Sequence, residues 1–282
     1  MPSRPNIYGI STQDLRGCRT RRCMWKSFVG ATCLCIAAYL LVGLGALGAR
    51  PEVSRPSQTV DLDAQMVQYP SDSFNIRAYL VAARSAGRHP AVIVVHSSEG
   101  LDERMKDVSR RFAMEGFVVL APDLLSRTAS SGASAGPASV AQLPAARTVD
   151  DLKAAYDFLA KDSEVDTSTI SVVGFGWGGW RAFMLAEDMP ALFRAVIYYG
   201  TTPSAGLENI HAPVLAHYAQ YDYRNTGNAI STEKMMKHLG KGFTYYIYPE
   251  ANADFVDSSG QHNAEAAELS WQRTLAFLRS PS

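Results

Sequence analysis

The stretch Ile170–Gly179, ISVVGFGWGG, decides the fold of the chain around it. Its first half is a β-branched apolar run, typical of a buried strand. Its second half carries four glycines before an apolar helical pattern that we expect to begin at Trp180. A strand that turns sharply into a helix can present a nucleophile at the centre of the pattern G-x-Nuc-x-G. That centre is Gly176, which tolerates the strained dihedral angles of such a turn but has no side chain to react.

Strands are predicted on both sides of this turn. Thr59–Tyr69 and Asn75–Ala82 alternate apolar and polar residues, which predicts an antiparallel hairpin at a sheet edge. Ala91–Val95 is an unbroken apolar run, as expected of a parallel strand buried on both faces. Four further strands are predicted, at Phe117–Ala121, Arg194–Tyr198, Pro213–His217 and Phe243–Tyr248.

Helices are predicted between these strands. One begins after Asp102, one begins at a capping box of Thr148 and Asp151, one surrounds Thr232–Leu239, and the last spans Asn263–Arg279. The segment Pro122–Pro144 is rich in Ala, Ser, Gly and Pro and predicts a long flexible excursion.

This alternation predicts an α/β fold with a doubly wound, mostly parallel sheet. Ligands bind such sheets at the carboxyl ends of the strands. The segments at those ends should therefore line one pocket, and they are His96–Gly100, Gly174–Gly178, Tyr218–Arg224 and Pro249–Val256.

The N-terminal region has a different character. Residues 1–26 form a basic cytoplasmic segment, and residues 27–49 contain 23 uncharged residues, long enough for a transmembrane or signal helix. Residues 50–58 are a polar linker, and residues 59–282 are the folded domain. The excess of basic residues before the apolar segment predicts that the domain is exported, either membrane-anchored or periplasmic. Arg21 and Arg22 also resemble the twin-arginine export signal.

Composition excludes several function classes. All four cysteines lie in the first 35 residues, so the folded domain has no thiolate nucleophile, disulfide or cysteine metal site. Eight basic and two acidic residues lie in 1–55, although the whole chain has 27 of each, so the folded domain is acidic. An acidic domain argues against a nucleic-acid partner. No spacing of His, Asp and Glu suggests a metal site, and no cofactor is expected.

The chain from Thr59 onward resembles the dienelactone hydrolase family. The resemblance rests on the order and spacing of several stretches, namely AVIVVH, VVLAPDLL, GFGWGG, RAVIYYG, APVLAHYAQYD, YYIYPEANADF and NAEAAELSWQRTLAFL. It implies the α/β-hydrolase fold and, for family members, hydrolysis of lactones or carboxylic esters by a Cys-His-Asp triad assisted by a glutamate.

Carried over residue by residue, the resemblance keeps one triad member. The family's aspartate falls on Asp222, its nucleophile on Gly176 and its histidine on Ala253. Its assisting glutamate falls on Ser97, with Glu99 two residues away. A substrate-binding arginine falls on Asp257. The backbone N–H groups of Trp177 and Ser98 match the family's oxyanion hole.

Several residues could replace the missing nucleophile and base. Ser97 or Ser98 is either a displaced nucleophile or a hydroxyl that caps the strand end. Asp222 and Glu99 could form an acid/base pair that acts through a water, or Asp222 could simply accept backbone N–H groups in a turn. His96 and His217 are expected to be structural. His262 is a further candidate for a catalytic role, and Asp254 could simply fill solvent space near the matched histidine position. An aromatic pocket could be lined by Trp177, Trp180, Tyr221 and Tyr223.

Two hypotheses follow. In the first, the chain is a non-catalytic, exported pseudo-hydrolase that binds a small molecule or a protein partner, because glycine and alanine replace the nucleophile and the base. In the second, it is an active ester or lactone hydrolase that uses Ser97 or a water oriented by Asp222 and Glu99. The membrane is a further partner through the N-terminal helix.

Overall fold

The computed structural model describes residues 60–128, 136–256 and 263–281. The predictions about residues 1–58, about Asp257 and about His262 lie outside the described residues. The chain divides into two units, Met1–Pro56 and Ser57–Ser282, and the second contains all of the described residues. Within the described ranges, the structure has no helix both long and apolar enough to cross a membrane.

The centre of the structure is an eight-stranded sheet in the order β1-β2-β4-β3-β5-β6-β7-β8. The strands are β1 Leu62–Ser71, β2 Phe74–Ala83, β3 Ala91–Val95, β4 Val118–Pro122, β5 Ser171–Phe175, β6 Ala195–Tyr198, β7 Val214–Ala219 and β8 Phe243–Tyr248. The first two form the predicted antiparallel hairpin, and β2 is antiparallel to β4. All of the remaining pairings are parallel, as predicted.

Helices cover both faces of the sheet. They are α1 Glu103–Met114, α2 Pro137–Val140, α3 Ala145–Ala160, α4 Trp177–Asp188, α5 Tyr223–His238 and α6 Ala264–Arg279. Alternate residues of the central strands point to opposite faces, so Ile93 joins one core cluster and Val92 joins the other. The first cluster packs against α3, α4 and α5, and the second packs against α1 and α6.

Two helix starts differ from the sequence prediction. α3 begins at Ala145, one turn before the predicted capping box, and Thr148 donates its hydroxyl to Ala145 O at 2.7 Å. Asp151 is fully buried within this helix and pairs with Arg127. Thr148 bonds within the first turn of the helix and Asp151 makes a tertiary ion pair, so the predicted capping box is wrong. α4 begins at Trp177 rather than Trp180, because the glycines after the bend are helical.

The described parts of the predicted excursion after β4, residues 122–128 and 136–144, are more ordered than their composition suggests. A 3-10 helix spans Leu124–Arg127, and both of its leucines are fully buried. The Arg127 guanidinium donates to Asp151 and to Ser71 O, which joins this helix to α3 and to the end of β1. Burial of the two leucines gives this segment an anchor that a flexible excursion would not have.

Candidate functional site

The bend between β5 and α4 has the geometry that the sequence predicts. Gly176 adopts φ +53° and ψ −113°, a conformation that side-chain-bearing residues rarely adopt, and its N–H donates to Tyr198 O at 2.9 Å. A β-carbon on Gly174 would lie 2.2 Å from Gly178 O, and one on Gly178 would lie 2.3 Å from His96 O. These two neighbours must therefore be glycine so that α4 can approach β5 and β3.

Gly176 itself is not crowded. An added β-carbon would lie 3.7 Å from the Tyr199 ring and 3.9 Å from Ser97 Cβ, which are ordinary contact distances. The bend at Gly176 therefore has the space for a side chain.

A cavity of about 510 Å³ opens at this bend. Three of the four predicted segments contribute to its lining, through Ser97, Ser98 and Glu99, through Gly176 and Trp177, and through Asp254 and Val256. The fourth segment, Tyr218–Arg224, does not line it, so that part of the prediction is wrong. The start of α1 and Tyr199, which were not predicted to line the pocket, supply the rest of the lining: Asp102, Arg104, Met105, Asp107, Val108, Arg111 and Tyr199.

The signal for α1 was present in the sequence. A helix that directly follows the first central parallel strand starts at the carboxyl edge of the sheet, so its first turns lie beside the ligand position. Asp102 caps this helix by accepting the N–H of Met105 at 3.0 Å. The cap fixes where α1 begins and therefore which of its residues face the cavity.

Asp222, the retained triad acid of the sequence prediction, is the N-cap of α5. One of its carboxylate oxygens accepts the Asn225 N–H at 3.3 Å, and the other accepts the Asn225 side-chain amide at 2.7 Å. The same amide nitrogen lies 3.3 Å from Tyr199 O, which it also serves as a donor. Asp222 therefore reaches the pocket through Asn225 and does not line it, whereas Glu99 does.

Ser97, Ser98 and Glu99 bond mainly to one another. The Ser98 hydroxyl donates to the Glu99 carboxylate at 2.9 Å, and the Glu99 N–H donates to the Ser97 hydroxyl at 3.4 Å. Neither serine hydroxyl has a hydrogen bond to an imidazole among the described residues. A serine hydroxyl needs a base within hydrogen-bond reach to become a nucleophile, so this arrangement is that of a turn.

His96 is fully buried, and both of its ring nitrogens are occupied. Nδ1 donates to Ser97 O at 2.7 Å, and Nε2 accepts the Leu124 N–H at 3.2 Å. Burial lowers the pKa of this imidazole, so it stays neutral. Its ring also stacks on Trp177, with centroids 5.7 Å apart. The geometry is that of a structural histidine.

His217 is also buried and structural. Its ring nitrogens lie 2.9 Å from the Tyr248 hydroxyl and 3.0 Å from Thr274 Oγ1. Burial, assisted by the nearby charge of Arg273, lowers the pKa of His217 to about 3. This side chain joins β7 to β8 and α6 and has no part in the pocket lining.

The predicted aromatic pocket is mostly wrong, because only Trp177 of the four residues lines the cavity. Tyr221 and Tyr223 are exposed to solvent, and the Arg181 guanidinium lies 4.2 Å over the Trp180 ring. The sequence predicts that these rings lie near the carboxyl edge of the sheet, but it does not predict which way each side chain points.

Ala253 is half-buried and is not among the lining residues, although Asp254 and Val256, one and three positions after it, are. Asp254 has a positive φ of 62° in this loop. Within residues 60–128, 136–256 and 263–281, no group of His, Cys, Asp and Glu could hold a metal ion.

A mostly parallel sheet with a strained glycine bend opening onto a cavity at its carboxyl edge defines an α/β-hydrolase fold. The sequence model of the dienelactone hydrolase family matches residues 76–282, and the chain belongs to that family. The resemblance inferred from the sequence is confirmed.

Similar proteins agree with this assignment. A protein of Methylorubrum extorquens described as "Putative carboxymethylenebutenolidase" is 30% identical over 268 residues, covering 86% of this chain and 91% of that protein. A crystal structure described as "Putative Dienelactone Hydrolase" from Klebsiella pneumoniae has 27% identity and a TM-score of 0.72, covering 78% of this chain and all of that one. A dienelactone hydrolase-like promiscuous phosphotriesterase from metagenomic libraries has 21% identity and a TM-score of 0.67, covering 77% and 97%, and shares the fold.

Proposed function

We propose that this chain is a pseudo-hydrolase, a dienelactone hydrolase relative that binds a small molecule or a partner in the inherited pocket without covalent catalysis. The observation that carries the proposal is Gly176 at the centre of an intact bend. Acyl transfer by this fold needs a nucleophile at that point and an imidazole beside it. The matching positions hold glycine and Ala253.

The surrounding side chains support the same proposal. His96 has both ring nitrogens in hydrogen bonds, and the serine hydroxyls next to it have no imidazole partner among the described residues. Asp222 is occupied as a helix cap. Loss of a complete triad lowers turnover by roughly a million-fold, so the chain should keep at most the residual rate over water that substrate binding and backbone oxyanion donors supply.

The test is an assay of the purified full-length chain against simple esters and lactones, beside three variants. Gly176→Cys and Ala253→His are the single controls, and the third carries both changes. We expect no turnover in the parent or in either single variant, and measurable turnover in the double variant. Turnover by the parent at an ordinary enzymatic rate would overturn the proposal.

A second candidate is an active ester or lactone hydrolase with Ser97 as a displaced nucleophile. It is favoured by one distance, the 3.9 Å between Ser97 Cβ and the position of a β-carbon on Gly176. Ser97 still needs a base, and in the other form of this candidate a water oriented by Asp222 and Glu99 takes the place of the serine as nucleophile. Ser97→Ala would abolish turnover by the serine form, and Ser98→Ala is the matched control.

We also infer that the domain is exported and either anchored by residues 27–49 or released to the periplasm. The support is the uncharged stretch itself, preceded by six basic residues and closely followed by two. Fractionation of cells that express the tagged full chain tests this, with a variant lacking residues 1–49 as the control. Equal distribution of both proteins to the cytosol would contradict export.

A further inference from the structure

The charges around the pocket point to the class of its ligand. Four carboxylates line the cavity against two guanidinium groups, and the members are Glu99, Asp102, Asp107 and Asp254 against Arg104 and Arg111. A concave surface with an excess of one charge focuses its field on the interior and attracts ligands of the opposite charge. The excess here is negative.

Both guanidinium groups have partners within the protein. Arg104 Nε donates to Asp102 at 2.7 Å. The Arg111 guanidinium lies 4.3 Å over the Trp271 ring, and its Nη2 lies 3.9 Å from a Glu268 oxygen. An anionic ligand would have to compete with these contacts.

Glu99 has no cationic partner among the described residues. Its carboxylate accepts a hydrogen bond from the Ser98 hydroxyl, and no ion pair of the described chain includes it. By contrast, Asp107 pairs with Arg110 and Asp102 pairs with Arg104. Glu99 is thus the carboxylate of this pocket that is available to a ligand cation.

The rest of the cavity wall suits an organic cation. Met105, Val108 and Val256 supply apolar surface, and Trp177 and Tyr199 supply aromatic surface. An apolar wall beside one carboxylate fits an amphiphilic molecule better than a bare ion. We propose that the pocket binds a small organic amine in its cationic form, with the ammonium group on Glu99 and the apolar body against α1; this inference rests on the proposed binding function.

The test uses three probes of similar size and different charge, 2-phenylethylammonium, 2-phenylethanol and phenylacetate. Binding to the purified full-length chain is measured by calorimetry and by saturation-transfer NMR. An exposed ion pair of this kind should make the cation bind roughly two- to five-fold more tightly than the alcohol, and phenylacetate should bind most weakly.

Glu99→Gln should remove the preference for the cation and leave the affinity for the alcohol unchanged. Glu103→Gln is the matched control, because it also removes one negative charge, at the start of α1, but from a residue that does not line the pocket. This variant should keep the preference for the cation over the alcohol. Equal binding of cation and alcohol by the parent, a preference for phenylacetate, or binding of none of the three would overturn the inference. The ester assay described above separately decides whether the pocket is catalytic.

Discussion

A β-carbon placed on Gly176 would lie 3.9 Å from Ser97 Cβ, an ordinary contact between two side chains. Gly176, the position matched to the family's nucleophile by resemblance, therefore has no side chain but has the space for one. The neighbouring glycines are different, because a β-carbon on either Gly174 or Gly178 would collide with backbone. This contrast within one bend leads to a first prediction.

Gly176→Ser should fold, with a free energy of unfolding lower by about 1–2 kcal/mol because the residue keeps a positive φ. Gly178→Ala should lower it by about 3 kcal/mol or more, because its β-carbon would meet His96 O at 2.3 Å. Urea unfolding followed by circular dichroism measures both. Equal losses would mean that the bend is not held as described.

The buried ion pair between Arg127 and Asp151 should be important for stability. Its side chains are 10% and 0% exposed. Asp151→Asn leaves a buried guanidinium without its counter-charge, and we expect a loss of about 3–5 kcal/mol in the free energy of unfolding. Lys153→Met, which removes the exposed pair with Asp188, is the control and should change it by about 1 kcal/mol or less.

Stability should fall in mild acid because of His217 and His96. Unfolded histidine titrates near pH 6.5, whereas burial lowers the folded pKa of His217 to about 3 and also lowers that of His96. Below pH 6.5 the unfolded chain therefore binds protons that the folded domain does not. Each histidine should remove about 1.4 kcal/mol per pH unit, and for His217 this continues until about pH 3.

Urea unfolding at several pH values checks this slope. His217→Gln should reduce this slope by about 1.4 kcal/mol per pH unit, and His238→Gln, at an exposed position in the last turn of α5, is the matched control. An unchanged slope in His217→Gln would show that this imidazole is not held neutral.

Glu187 should act in the opposite direction. Burial, together with the negative charges of Asp188 and Glu208, raises its pKa from 4.5 to about 7. As pH rises through this window, the unfolded carboxyl loses its proton before the folded one does, so stability falls. Glu187→Gln should therefore raise the free energy of unfolding above pH 7 by about 1–2 kcal/mol, allowing for solvent screening. The exposed Glu233→Gln is the control, and a loss of stability in Glu187→Gln would contradict the raised pKa.

The sequence by itself determined the order of strands and helices, the family, and the absence of a nucleophile at Gly176. Short β-branched runs such as Ala91–Val95 are buried on both faces, and a glycine bend after such a run permits few alternatives. These features are local, so local sequence is sufficient to predict them. The N-cap at Asp102 was predictable for the same reason.

Only the tertiary structure decided what the remaining polar side chains do. Asp222 caps α5, His96 bonds to the Leu124 N–H, and Asp151 pairs with Arg127, and each contact except the first joins residues more than twenty positions apart. The lining contributed by α1 and the position of the Glu99 carboxylate in the cavity likewise depend on how the helices pack over the sheet edge. The direction in which a side chain points, and the partner it bonds to, depend on packing between segments that are distant in the chain. The pattern of residues along the sequence does not specify that packing.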